Sequence, residues 1–154
     1  MITIQVSESL SGVLPTPLED LAYLERAGAE TLRQAGASLT ADLTIVIGDD
    51  AQLHALNHQF LGIDAPTDVL SFPSGETDPD SGEAYLGDVL ISHPRAAAQA
   101  IAGGHAIQDE LQLLVVHGVL HLLGYDHGEP DEKARMWAIQ AQVLQTLGSR
   151  VLRP

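Results

Sequence analysis

Three histidines hold the densest chemistry in this chain. His117 and His121 stand four residues apart in the run His117-Gly118-Val119-Leu120-His121-Leu122-Leu123-Gly124-Tyr125-Asp126-His127. On a helix, four residues advance by about 400° and roughly 6 Å, so both imidazoles leave the same face one turn apart. That spacing lets two ring nitrogens reach one ion at about 2.0 to 2.1 Å. Gly124 ends the helix, because glycine readily takes the left-handed conformation that turns a chain back on itself. The turn allows His127 to complete a three-nitrogen face. Three protein ligands leave a fourth position, the arrangement of a catalytic zinc site rather than a closed structural one. The expectation is one zinc ion per chain, although three imidazoles also suit nickel, copper or iron. Asp126, next to a ligand, is a candidate to support it or to act as an acid or base.

The chain contains no cysteine, so any metal must be held by histidine, carboxylate or backbone oxygen. A lone His-x-x-x-His pair is weak evidence of a metal site, and the same chain supplies a control. His54 and His58 share that spacing, but their helix is more polar and no third ligand follows at a plausible distance. They read as solvent-facing or locally hydrogen-bonded. The pair at 117 and 121 instead lies on an apolar helix, where imidazoles without a purpose are costly to bury.

The spacing of His117, His121, Gly124 and His127 matches the zinc pattern of metzincin peptidases, H-E-x-x-H-x-x-G-x-x-H. Those enzymes place their general-base glutamate where this chain has Gly118. Glycine inside a helix costs about 1 kcal/mol relative to alanine. Its presence implies a close approach to the helix beside the metal, and the missing base argues against peptide hydrolysis.

The elements that must position these residues follow from pattern. Residues 2 to 6 and 42 to 47 alternate or cluster β-branched residues and read as strands. A helix is expected over 17 to 35, with Pro17 near its start and Gly36 at its end. Asp49 or Asp50 caps a second helix through about Phe60. Thr67 to Phe72 reads as a strand entered through Pro66 and stopped by Pro73. Gly75 to Gly82 reads as an acidic loop, and Leu86 to Ser92 as a fourth strand. Helices follow over 94 to 102, 107 to 123 and from Glu129 to about Leu147. The segment 107 to 123 is apolar on nearly every side, so it should be the buried central helix. The fold class is therefore α/β (α+β), a sandwich of about four mixed strands with helices. All 154 residues read as one domain, with the metal site on the central helix.

The formal net charge is −14, with seven basic residues. That is unfavourable for nonspecific nucleic-acid binding, which rests on neutralising phosphates. It leaves room for a local metal site that attracts phosphate. No apolar run reaches the eighteen or so residues of a membrane span, and the start lacks a basic signal-peptide region. A soluble cytoplasmic protein with no membrane partner is the expectation.

The eleven-residue histidine run resembles the signature of the YbeY family of bacterial metal-dependent endoribonucleases, or rRNA maturation factors. Leu56-Asn57, the segment Pro66-Thr-Asp-Val-Leu-Ser-Phe-Pro73, the segment Leu86-Gly-Asp-Val-Leu-Ile91 and the last helix with Met136 match further family segments in order. The resemblance covers roughly residues 42 to 148. It implies cleavage of single-stranded RNA, processing of the 3′ end of the small-subunit rRNA, and ribosome quality control. The implied partners are rRNA, the small ribosomal subunit and assembly proteins, and the implied zinc ligands are His117, His121 and His127. One position departs from the pattern. After Asn57 the family has an aromatic residue and then an arginine, whereas here Phe60 is followed by Leu61. Arginine is the natural phosphate partner, which leaves Arg95 as the candidate to substitute.

Thr67 and Ser71 are candidates to line the cleft with Asp68, and equally candidates for ordinary hydrogen bonds at a strand entry. Asp88 reads as structural, or as a support for a ligand. The loop Gly75 to Glu83 lacks the ordered spacing of a calcium loop and reads as solvated. Met136 has helical spacing with Ile139 and Val143 and reads as core. Three functions remain in view: an endoribonuclease, an assembly factor whose metal is mainly structural, and, opposed by Gly118, a metallopeptidase. For the first, the RNA is attacked either by water or by its own 2′-hydroxyl, and a 2′,3′-cyclic phosphate would identify the second route.

Overall fold

Alternating apolar residues build a four-stranded sheet in the order β1-β2-β4-β3. The computed structural model describes residues 1–10, 21–77, 79–149 and 151. The strands are β1 (Ile2–Val6), β2 (Asp42–Gly48), β3 (Val69–Thr77) and β4 (Ala84–Ser92). β1, β2 and β4 run parallel, and β3 pairs antiparallel with β4 at one edge. Ile2, Ile4 and Val6 align with Leu43, Ile45 and Ile47, placing their side chains on one face of the sheet. Val89 and Ile91 of β4 extend that face and are fully buried.

The helices are α1 (Ala22–Gln34), α2 (Asp50–Leu61), α3 (His93–Gly103), α4 (Ile107–Leu122) and α5 (Pro130–Leu147). α4 packs on β3 and β4 and is flanked by α1, α3 and α5. Leu111, Leu113, Leu114, Val115, Val116, Val119 and Leu120 are all buried, so α4 is the central helix that its all-round apolar pattern predicts. α2 covers the other face. Ser71 reaches α4 while its neighbour Phe72 meets Phe60 of α2, and adjacent strand residues point to opposite faces.

Local chemistry sets the helix ends. Asp49 caps α2 through a reciprocal pair: Gln52 N donates to its carboxylate at 2.7 Å, and Asp49 N donates to the Gln52 side chain at 3.0 Å. Ser92 caps α3 by accepting from Arg95 N. The mixed α/β sandwich and its four strands agree with expectation. The start predicted at Pro17 lies outside the described residues.

The strand bounds at this edge need correction: β3 starts at Val69 rather than Thr67, and β4 at Ala84 rather than Leu86. β3 does not stop at Pro73; it continues to Thr77, taking in part of the segment read as an acidic loop. The strand tolerates proline because it is an edge, paired only with β4 among the described strands, so a missing N–H need not face a partner. The pairing shifts register between Pro73 and Glu76. Gly87 sits opposite Pro73 with φ +136°, and a Cβ there would stand 2.1 Å from the Phe72 carbonyl oxygen. Only glycine permits that approach.

Candidate metal centre

α4 delivers two of the three histidines. Its last turn is closed by a pair of bonds around Gly124: Gly124 N donates to His121 O at 3.0 Å, and Tyr125 N donates to Leu120 O at 3.0 Å. This is the Schellman arrangement, with Gly124 at φ +95° in the left-handed region. The chain then doubles back and places His127 against the other two. The ring centroids lie 4.7 Å (His117 to His121), 5.7 Å (His117 to His127) and 5.2 Å (His121 to His127) apart. One ligand atom from each residue lies within 4.8 Å of the other two.

The donor set fits a metal ion. His117 Nδ1 faces Gln140 Oε1 at 3.1 Å. An amide oxygen only accepts, so this contact puts the proton on Nδ1 and leaves Nε2 with its lone pair. That Nε2 lies 3.1 Å from His121 Nε2. Two nitrogens bound to one ion at about 2.05 Å with a tetrahedral angle stand about 3.3 Å apart, close to this separation. Burial is the main cause that lowers both the His117 and the His121 pKa below the usual histidine value. Repulsion from His127 adds to it at both rings, and His117 adds further at His121, while the Gln140 bond and Asp68 oppose it at His117. Both imidazoles are thereby held neutral, which is the ligating form.

Gln140 is the functional residue that the sequence pattern does not reveal. It belongs to α5, is 1% exposed, and lies on the stripe that carries Met136 and Val143. A lone glutamine on an apolar stripe is the signal that could have found it. Met136 is fully buried and is core, as expected.

Gly118 has a packing cause. A Cβ on it would stand 2.4 Å from Val89 Cγ1 and 3.3 Å from Ser71 Oγ. The close approach inferred from this glycine is therefore made by the sheet, and Ser71 Oγ donates to Gly118 O at 2.9 Å. Ser71 is thus a bridge between β3 and α4. Asp68 lines a cavity together with His117, and Thr67 is not among the residues lining it.

The remaining candidates divide clearly. Asp126 accepts from His127 N at 2.7 Å, and its carboxylate lies 4.0 Å from His127 Nδ1, so it can steady that ligand. Arg95 is engaged by Asp50, with Nε and one terminal nitrogen each 3.2 Å from the carboxylate. Leu61 ends α2 and is exposed beside Phe60 and Ile63. His54 bonds Asp64 at 2.7 Å and is the local surface histidine expected. Asp88 accepts from the Tyr85 hydroxyl, a structural contact within β4. No helix among the described residues is long and apolar enough to cross a membrane.

Comparisons with known proteins converge. The family model described as Endoribonuclease YbeY matches residues 18–148. A protein of Roseiflexus castenholzii named Endoribonuclease YbeY is 42% identical over 153 residues, covering 96% of this chain and 93% of its own. One of Pelotomaculum thermopropionicum with the same name is 44% identical over 147 residues, covering 94% and 90%. The solution structure of TM1509 from Thermotoga maritima superimposes with a TM-score of 0.60 at 27% identity, covering 96% of this chain and 89% of that one.

Proposed function

Because the chain belongs to the YbeY family, we propose that it is a metal-dependent endoribonuclease that cuts single-stranded RNA, with zinc held by His117, His121 and His127. The observation that carries the metal assignment is the convergence of three imidazoles with the His117 proton fixed on the far side of its ring. When bound, the ion supplies Lewis-acid polarisation of a phosphoryl oxygen and activation of water.

The protein's own residues do the positioning. Gln140 fixes the tautomer of His117 and orients its Nε2. The Gly124 turn brings His127 to the site, and Asp126 holds its backbone. Charge supports a local rather than a diffuse attraction for RNA, since the chain carries a net charge of −14. With Leu61 uncharged and Arg95 paired to Asp50, the phosphate relies on the metal centre more than on a basic surface. Peptide hydrolysis is disfavoured, because position 118 carries no carboxylate.

By its family, the natural substrate is the precursor of the small-subunit rRNA, trimmed at its 3′ end in the cytoplasm, with ribosome quality control as the wider role. The partners are the small subunit and its assembly proteins. The test is incubation of zinc-loaded protein with end-labelled single-stranded RNA. Cleavage is expected, and it should vanish on chelation and in His117→Ala. A 2′,3′-cyclic phosphate end would assign attack to the RNA's own 2′-hydroxyl. Intact RNA after prolonged incubation with loaded protein would overturn the proposal. In cells, a His117→Ala, His121→Ala chain should leave small-subunit rRNA with unprocessed 3′ ends.

A further inference from the structure

Beside His117, and away from His121 and His127, lies a cavity of about 210 Å³ lined by Asp68, Gln99, Glu110, His117 and Gln140, with Val69, Leu113 and Leu114 as its apolar wall. Glu110 precedes His117 by seven residues, so both project from the same face of α4 two turns apart. Two buried polar atoms on this lining have no protein partner: Gln99 Oε1 and Gln140 Nε2. Their roles are set by their other ends. Gln99 Nε2 donates to Asp68 at 3.3 Å, which leaves Oε1 as an acceptor. Gln140 Oε1 accepts from His117, which leaves Nε2 as a donor. Gln140 is 1% exposed, so its free N–H is costly unless something in the cavity accepts it.

We propose that this cavity is a nucleobase subsite that takes an amino-bearing base next to the cleaved phosphate and rejects uracil. The inference rests on the endoribonuclease reading. The size argues for one ring system. Sites for whole small molecules start at about 300 Å³, so this cavity accepts a base rather than an entire nucleotide. Single-stranded RNA offers such bases, splayed out and read along their edges. The hydrogen-bonding pattern selects among them. Gln99 Oε1 and the Asp68 carboxylate are the acceptors, while Glu110 is already engaged, bonding His105 at 2.7 Å. Gln140 Nε2 is the one unpartnered donor found on this lining. Cytosine, adenine and guanine each present an exocyclic amine to acceptors and a ring nitrogen or carbonyl to the donor. Uracil instead brings a single N3–H flanked by two carbonyls where an exocyclic amine brings two N–H bonds, so it can serve only one of the two acceptors and turns a carbonyl toward the other. A shared wall at His117 places the base and the metal centre side by side.

The test uses paired single-stranded oligonucleotides that differ only by cytosine or uracil at the position beside the cut. Wild-type protein should favour cytosine by about tenfold or more in kcat/KM, as a site built on hydrogen bonds does. Gln99→Leu should reduce that ratio to about twofold or less. Gln99→Met serves as a second variant, with zinc content and thermal melting checked for both. A wild-type ratio near unity, or a ratio unchanged in both variants, overturns the subsite while leaving the nuclease intact. Titration of the protein with cytidine and with uridine, followed by the NMR signals of the Gln140 side-chain amide, reads the cavity without any cleavage. Shifts with cytidine alone support the subsite even if RNA is not cut. Equal shifts, or none with either nucleoside, overturn it.

Discussion

Gln140 decides how His117 meets a metal. The imidazole can ligate through either nitrogen, and the amide oxygen 3.1 Å from Nδ1 reserves that side for the proton. Leucine at 140 keeps the volume and removes the acceptor. Gln140→Leu should therefore fold, and should bind zinc about 10- to 100-fold more weakly, as loss of an outer partner does at other zinc sites. Competition with a chromophoric chelator measures this, and unchanged affinity would reduce Gln140 to packing. Protonation provides a second handle on the same residues. In the metal-free protein, burial lowers the pKa of His117 and of His121. As pH falls through about 6.5, the unfolded chain takes up protons before the folded one does. The stability associated with the neutral rings is thus intact above that value and drains away as pH falls through the lower folded values. Urea midpoints of the metal-free protein should decline from pH 7.5 to 5.5, and His121→Gln should flatten the decline. The convergence of the three histidines was legible in the sequence because helix period and a stop glycine are local signals. Gln140 and Gln99 were not, because their roles depend on α5 and α3 packing against α4, and no local pattern encodes which buried amide will face a ligand.

At the scale of elements, the seat of α4 on the sheet sets how precisely the site is held. Gly118 lets the helix come close enough for Ser71 to bond its carbonyl and for Val89 to occupy the space of a Cβ. Alanine would improve the intrinsic helix propensity by about 1 kcal/mol. Against that, its methyl would stand 2.4 Å from Val89 Cγ1, and the fully buried Val89 has little room to yield. Overpacking of this kind typically costs about 1 to 3 kcal/mol. Gly118→Ala should consequently lower the urea midpoint, and Val89→Ala in the same chain should recover part of the loss, since the two substitutions share one space. A neutral or stabilising Gly118→Ala would show that the helix can lift off the sheet freely. The sequence carried the element types well and the strand ends less well. Pro73 reads as a strand stop because proline removes a donor. Whether that donor is needed depends on whether the strand is an edge, and edge position is a property of the assembled sheet.

For the whole molecule, the question is whether the metal holds the fold or only works on it. The buried core runs through Leu43, Ile45, Ile47, Val89, Ile91, Val115, Val116, Val119 and Leu120 without calling on the histidines. The triad lies at the end of α4, and the side chain of His127 is 50% exposed, beyond a helix stop already closed by backbone hydrogen bonds. A site placed at the rim of an intact core adds stability only through binding. With free zinc at about 100 times its Kd, that contribution is about 2.7 kcal/mol. A small domain whose metal builds the fold instead unfolds when the ion is withdrawn. Chelation should therefore leave the far-ultraviolet circular dichroism and a cooperative melt in place, lower Tm by several degrees, and abolish RNA cleavage. Collapse of the helical signal on chelation would assign the ion a structural role and favour an assembly factor over an enzyme. Retained fold with lost cleavage would place the ion in the chemistry rather than in the fold.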